Sequence, residues 1–203
     1  MLKLKKIAVT GTLASGKTEL AKILEASGAY RLDADKITHQ LYLSNSSLKE
    51  SIIKRFGASI TTDGEIDRKK LATLVFKDQE KLAELESLVH PLILKKILND
   101  AERLEKEGKA RCLVVEIPLL FELGWESYFD TILVVGADVK NCLKRYLNSG
   151  HTEEDFVRRS KAQWPFNKKA SKAHFVLHNN GDINHLKMEI MTLLKNLGER
   201  FQL

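Results

Sequence analysis

Gly11-Thr12-Leu13-Ala14-Ser15-Gly16-Lys17-Thr18 has glycines at its first and sixth positions and ends in Lys-Thr, the spacing G-x-x-x-x-G-K-[ST]. A loop of this kind turns successive backbone N–H groups inward around a phosphate, and glycine is needed wherever a Cβ would obstruct that approach. Lys17 offers a point charge to the outer phosphate oxygens. Thr18 offers a hydroxyl to Mg²⁺ at the positive end of the following helix, with Glu19 beside it. The chemistry these residue types suit is the handling of a nucleoside triphosphate.

Transfer of a phosphoryl group asks for more than a cradle: a base beside the attacking hydroxyl, and cations that meet the charge in flight. Asp33 is the leading base, placed at the end of the second expected strand, where ligands of parallel sheets sit. Its rival role is helix capping, because Asp33-Ala34-Asp35 opens a helix and either aspartate could cap it. Glu116 closes the third expected strand and suits a water-mediated Mg²⁺ contact or a supporting position. His39 lies one helical turn past Asp35 and is a weaker candidate. Arg145 and Arg159 carry the fork that matches phosphate oxygens in pairs.

The elements that must position these groups follow from apolar runs and punctuation. Ile7-Ala8-Val9 predicts a strand over about 6–10, followed by a helix over 17–27 that Gly28 closes and a strand over 29–33, a βαβ unit with parallel strands. From Asp35 to Lys109 nearly everything has helical spacing. Gly57 ends one helix, Thr61-Thr62-Asp63-Gly64 forms a turn, and His90-Pro91 separates a helix over 79–89 from another over 92–107. Further strands are expected over 112–117, 131–135 and 174–178, helices over 139–147 and 183–197. These elements predict an α/β chain whose first strands are parallel, with a helical insertion that receives the substrate and a basic lid. As a single domain over 1–203, its core covers about 1–34, 110–145 and 173–203, the insertion about 35–109 and the lid about 146–172.

The 203 residues suffice for one sizeable core, and 43% hydrophobic with 30% charged residues is ordinary for a globular chain. No apolar stretch is long enough for a membrane helix, the first six residues lack a signal-peptide core, and Cys112 and Cys142 lack C-x-x-C spacing. A cytoplasmic location and plain buried thiols are the expectation. Between Lys140 and Lys172, nine basic residues face three acidic ones, which accounts for the whole net charge of +6. A basic lid over phosphates explains that concentration better than a solvated helix face or a nucleic-acid surface.

In order along the chain, these stretches resemble the dephospho-coenzyme A kinase family. The resemblance rests on the phosphate loop, Asp33-Ala34-Asp35-Lys36-Ile37-Thr38-His39, Gly64-Glu65-Ile66-Asp67-Arg68, His90-Pro91-Leu92-Ile93, Val115-Glu116-Ile117-Pro118-Leu119-Leu120-Phe121-Glu122, Arg145, Arg159 with Gln163, Lys169 and Asn179-Asn180-Gly181. It implies an α/β fold, a P-loop NTPase-like, doubly wound five-stranded parallel sheet with a helical substrate-binding insertion and a lid, and it implies ATP with Mg²⁺ phosphorylating the ribose 3′-hydroxyl of dephospho-coenzyme A. Asp33 then accepts the proton, Lys17 and Arg145 stabilise the moving group, Thr18 holds the metal, and Asn179 lies near the adenine. The acceptor side comprises Asp33, His39, His90, Glu116, Leu120 and Arg159. The implied partners are small molecules, with neither nucleic acid nor membrane, and the chain is a monomer or a weak oligomer. Relative to the family pattern, Thr12 and Ala14 replace glycines, and Glu116 and His174 replace aspartates.

Two rivals remain at this point. A nucleoside monophosphate kinase shares the loop and lid but lacks the Asp-Ala-Asp and Pro-Leu-Leu-Phe-Glu stretches. A regulatory GTPase needs N-K-x-D, and the nearest segment, Asn167-Lys168-Lys169-Ala170, has no aspartate.

Overall fold

The computed structural model describes residues 3–181 and 183–201. In chain order the elements are β1 (Lys5–Gly11), α1 (Lys17–Ala26), β2 (Tyr30–Asp33), α2 (Ala34–Ser44), α3 (Ser46–Phe56), β3 (Thr61–Thr62), β4 (Glu65–Ile66), α4 (Arg68–Val75), α5 (Gln79–Glu107), β5 (Cys112–Glu116), β6 (Thr131–Gly136), α6 (Val139–Asn148), α7 (Glu153–Lys161), α8 (Phe166–Ala170), β7 (Phe175–His178) and α9 (Ile183–Phe201). They fall into two compact units: Ala34–Glu102 forms one, and the described residues on either side of it form the other.

The α/β unit is built on five parallel strands in the order β2-β5-β1-β6-β7. The strands β5 and β6 are buried along their whole length, as expected of apolar runs covered on both faces. On one face Ile7, Val9, Val114, Leu133 and Val135 pack with Leu20 and Leu24 of α1 and Leu186 and Ile190 of α9. The chain leaves β1 toward β2 on one side, whereas the neighbouring β6 leads to β7 on the other. Loops after β1 and β6 therefore diverge, leaving a crevice at the carboxyl ends of the strands. At the start of β7, the His174 ring Nδ1 accepts the Ile132 N–H at 3.1 Å, an acceptor task open equally to a carboxylate.

In the helical unit, Asn45 caps α3 through the Leu48 N–H, and Asp67 caps α4 through the N–H groups of Lys69 and Lys70. The turn expected at residues 61–64 is the tip of a hairpin: β3 and β4 pair antiparallel, and Asp63 and Gly64 both take positive φ. An Asp-Gly pair suits that two-residue turn because both central residues must be left-handed.

One expectation is corrected here. Pro91 does not separate two helices; it lies inside the single helix α5. A proline in a helix interior costs about 3 kcal/mol through one lost hydrogen bond and a ring clash. Leu85, Val89, Ile93, Ile97 and Ala101 are all buried, a four-residue spacing that runs straight through the proline. Each large member of that stripe contributes about 1.5–3 kcal/mol by leaving water, so the stripe outweighs the interruption. Among the described residues, no helix is long and apolar enough to cross a membrane.

Candidate active site

The phosphate loop leaves the carboxyl end of the central strand. Gly11 has φ +146°, and a Cβ there would come within 2.0 Å of the Val135 carbonyl oxygen on the neighbouring β6. Glycine is thus required by backbone meeting backbone. Gly16 has φ +105° and caps α1; a Cβ there would lie 2.3 Å from the Asn179 side-chain nitrogen. Ala14, between them, holds a left-handed φ of +55°, which an L-residue adopts at some cost. Its side chain and that of Leu13 pack beside Cys142, Tyr146 and Phe156.

Inside the loop, the buried Lys17 ammonium donates to the Thr12 carbonyl at 2.6 Å and the Gly11 carbonyl at 3.3 Å. The Ser15 hydroxyl is buried with no hydrogen-bond partner among the described residues. A closed cradle with a cation inside it and an unspent hydroxyl fits a polyphosphate.

Behind Ser15, Asn179 donates its amide to the Ser15 carbonyl at 2.8 Å. Arg145 donates to the Asn179 carbonyl at 2.9 Å, to the Asn179 side-chain oxygen at 3.3 Å and to the Ser15 carbonyl at 3.5 Å. From the resemblance Asn179 is expected near the adenine; its side chain is buried and braces the loop.

At the neighbouring strand ends stand two carboxylates. β2 and β5 pair so that Asp33 is in register with Glu116. Glu116 is buried and accepts the Thr18 hydroxyl at 2.6 Å through one oxygen and Arg31 at 3.2 Å through the other. It therefore touches the expected metal ligand directly. Arg31 also lies 3.7 Å from Asp33 and 3.6 Å from Glu25. Among the described residues no group of three or more His, Cys, Asp or Glu side chains is set to hold a metal ion. Thr18 fits Mg²⁺ only in the manner usual for that ion, with one or two protein oxygens and the remainder from phosphate and water.

The basic segment is tied down at two points. Thr152 caps α7, whose Asp155 accepts the Tyr146 hydroxyl and pairs with Arg158. Arg159, with its side chain about half exposed, donates to the Tyr146 hydroxyl at 3.5 Å. Further on, Lys169 is fully buried and donates to the Pro118 carbonyl at 2.7 Å while pairing with Glu122 at 3.0 Å. Burial pulls its pKa below the ordinary lysine value, against the opposing charge of Glu122. Glu122 also accepts the Trp164 N–H at 2.6 Å, and the Pro118 carbonyl accepts the Thr10 hydroxyl at 3.3 Å, one residue before the phosphate loop.

Lys17, Thr18, Asp33, Glu116, Arg145 and Asn179 all belong to the α/β unit, at strand ends or on the helices that follow them. His39 and His90 belong to the helical unit. His39 is exposed on α2; His90 is half-buried in α5, and burial lowers its pKa. Leu120, expected beside the acceptor, is fully buried in the α/β unit. Neither the contacts of Arg31 nor the pairing of Lys169 with Glu122 was expected from sequence. The signal for Arg31 was present: a charge two residues before Asp33 in a strand shares its face.

A family model described as dephospho-CoA kinase matches residues 5–185. A dephospho-CoA kinase of Aquifex aeolicus is 36% identical over 195 residues, covering 96% of this chain and 98% of the relative. Among solved structures, TT1252 from Thermus thermophilus superposes with a TM-score of 0.81 at 33% identity, over 96% of this chain and 98% of its own. The dephospho-CoA kinase from Campylobacter jejuni gives 0.63 at 29% identity, over 96% and 97%. Matched from its first strand to the start of its last helix, with the phosphate loop and both strand-end carboxylates inside that span, the chain belongs to the dephospho-CoA kinase family.

Proposed function

We propose that the chain transfers the γ-phosphoryl group of ATP to the ribose 3′-hydroxyl of dephospho-CoA, the final step of CoA biosynthesis. The observation that carries this reading is the register of Asp33 with Glu116, because Glu116 in turn holds Thr18 of the phosphate loop. A carboxylate able to take the hydroxyl proton thus stands two contacts from the cradle. Lys17, already inside the loop, meets the phosphate oxygens by exchanging its two carbonyl partners for them. Arg145 adds a second cation, held by Asn179 and Ser15. Mg²⁺, when bound beside Thr18, supplies charge neutralisation to the phosphates.

The remaining assignments belong to the same reading. Residues 34–102 receive the acceptor, with His39 and His90 as its candidate contacts. The basic segment around α7 closes over phosphate, with Arg159 as its contact. The protein works in the cytoplasm on two small molecules, without nucleic acid or membrane, as a monomer or a weak oligomer.

The test is a coupled assay with ATP, Mg²⁺ and a panel of acceptors. Dephospho-CoA is expected to be turned over, and Asp33→Asn to lower kcat by about 10²–10⁴-fold while ADP affinity stays near the parent's. Turnover of AMP or CMP with none of dephospho-CoA would refute the reading in favour of a nucleoside monophosphate kinase.

A further inference from the structure

Arg31 has no part in the reaction as proposed above, yet it is closely engaged in the α/β unit. Its side chain is 10% exposed, and it lies against three carboxylates that come from three different elements. One terminal nitrogen faces Glu25 of α1 at 3.6 Å. The other is shared: it donates to Glu116 at 3.2 Å and lies 3.7 Å from Asp33 on its own strand. The Nε is buried and has no hydrogen-bond partner among the described residues. The carboxylates fix the guanidinium, and it fixes them.

The strand period explains the convergence. Residues 31 and 33 share one face of β2, and in register they oppose Val114 and Glu116, which share the matching face of β5. A cation at position 31 therefore sits beside both strand-end carboxylates without any loop having to place it. Two carboxylates in register at the same strand ends repel each other and would splay unless a cation lay between them. Glu116 is the firmer partner, since it also accepts the Thr18 hydroxyl and is itself buried.

We infer that Arg31 is a positioning residue for the transfer: anchored by Glu116, its guanidinium sets the orientation of the Asp33 carboxylate. The inference rests on the reading of Asp33 as the base. Arg31 touches neither ATP nor acceptor in this role. Its effect falls on the geometry of proton acceptance, where a displacement of about 1 Å costs on the order of a hundredfold in rate. Lysine at this position keeps one charge but loses the planar fork that reaches Glu25 and the Asp33–Glu116 pair together.

The test is a cycle of full-length variants, Arg31→Met, Arg31→Lys, Asp33→Asn and Arg31→Met with Asp33→Asn, assayed with ATP, Mg²⁺ and dephospho-CoA, with ADP binding measured separately. Arg31→Met is expected to lower kcat by about ten- to a hundredfold with ADP affinity changed less than about threefold, and Arg31→Lys to recover part of that loss. In the Asp33→Asn background the Arg31→Met loss should shrink to about twofold or less, because the group it orients is gone. Parental kcat in Arg31→Met, or an undiminished loss in the Asp33→Asn background, overturns the inference. Parental kcat in Asp33→Asn instead overturns the assignment of the base, which separates the two failures. If Arg31→Met shows no cooperative melt, Arg31→Lys goes through the same cycle, and parental turnover there overturns the inference.

Discussion

Asn179 donates its side-chain amide to the Ser15 carbonyl at 2.8 Å, joining residues 164 positions apart in the chain. The end of the last strand is thereby fastened to the middle of the phosphate loop, and the same asparagine holds Arg145 through two oxygens. Asn179→Ala leaves the Ser15 carbonyl without that donor, and the expected loss is about 1–3 kcal/mol of stability, with weaker ADP binding. Asn179→Asp sets an oxygen against the carbonyl and should weaken ADP further than alanine does. Thermal melts and ADP titration of the two variants read this; equal ADP affinity in both and in the parent would mean the brace is irrelevant to the loop.

Ala14, which replaces a glycine of the family pattern, is predicted to differ from the retained Gly11. Gly11→Ala drives a Cβ into the Val135 carbonyl and is expected to cost more than about 3 kcal/mol or to abolish folding, since neither backbone has room to yield. Ala14→Gly releases a left-handed alanine and should change stability by no more than about 1 kcal/mol, the relief being offset by a freer unfolded chain. Urea unfolding of the two variants compares them; a Gly11→Ala variant as stable as Ala14→Gly would contradict the close approach of β1 and β6.

Lys169 is buried against Glu122 and the Pro118 carbonyl. Removing one member of such a pair strands the other, so Lys169→Met is expected to lose about 3–5 kcal/mol. Adding Glu122→Gln should restore part of that loss, because the stranded charge goes with it. Denaturant midpoints of the single and double variants check both statements, and an additive double variant would show that the two side chains act independently.

Alkaline pH should destabilise the fold through Cys112. Burial first, and the Asp130 charge second, push its thiol from 9.0 up to about 12. Below pH 9 the thiol is protonated folded or unfolded, so the full stability is present. Above that value the unfolded chain gives up its proton while the folded one keeps it, and stability falls with pH up to about 12, by a few kcal/mol at most. Melting temperatures of the parent and Cys112→Ala across that range should show a shallower decline in the variant, whatever its starting stability; parallel curves would remove Cys112 as the cause.

What was legible in sequence was what local rules control. Gly11 and Gly16 announce a loop because left-handed or crowded backbone permits little else there, and the apolar runs of β5 and β6 announce strands buried on both faces. Pro91 misled because propensity is local, whereas the stripe from Leu85 to Ala101 is a tertiary demand. The strands β3 and β4 have two residues each, too few to show alternation, although Asp63-Gly64 marked their turn. In the candidate site, Lys17, Asp33 and Arg145 could be proposed from sequence because their side chains have chemistry of their own. Contacts in which a side chain serves another group could not be read: the bond from Asn179 to a backbone carbonyl leaves no trace in residue types, and Arg31 draws its partners from three segments.

Those three partners differ in their access to water. The Glu25 side chain is 52% exposed, whereas those of Glu116 and Asp33 are 9% and 18% exposed. Dissolved ions screen an exposed pair readily, over a Debye length of about 8 Å at physiological ionic strength, and a buried pair far less. Rising salt therefore loosens the outer link to Glu25 first and leaves the inner links to Glu116 and Asp33 in place. The carboxylates nearest the phosphate loop are insulated from the ionic composition of the surrounding medium by the arginine that joins them to it.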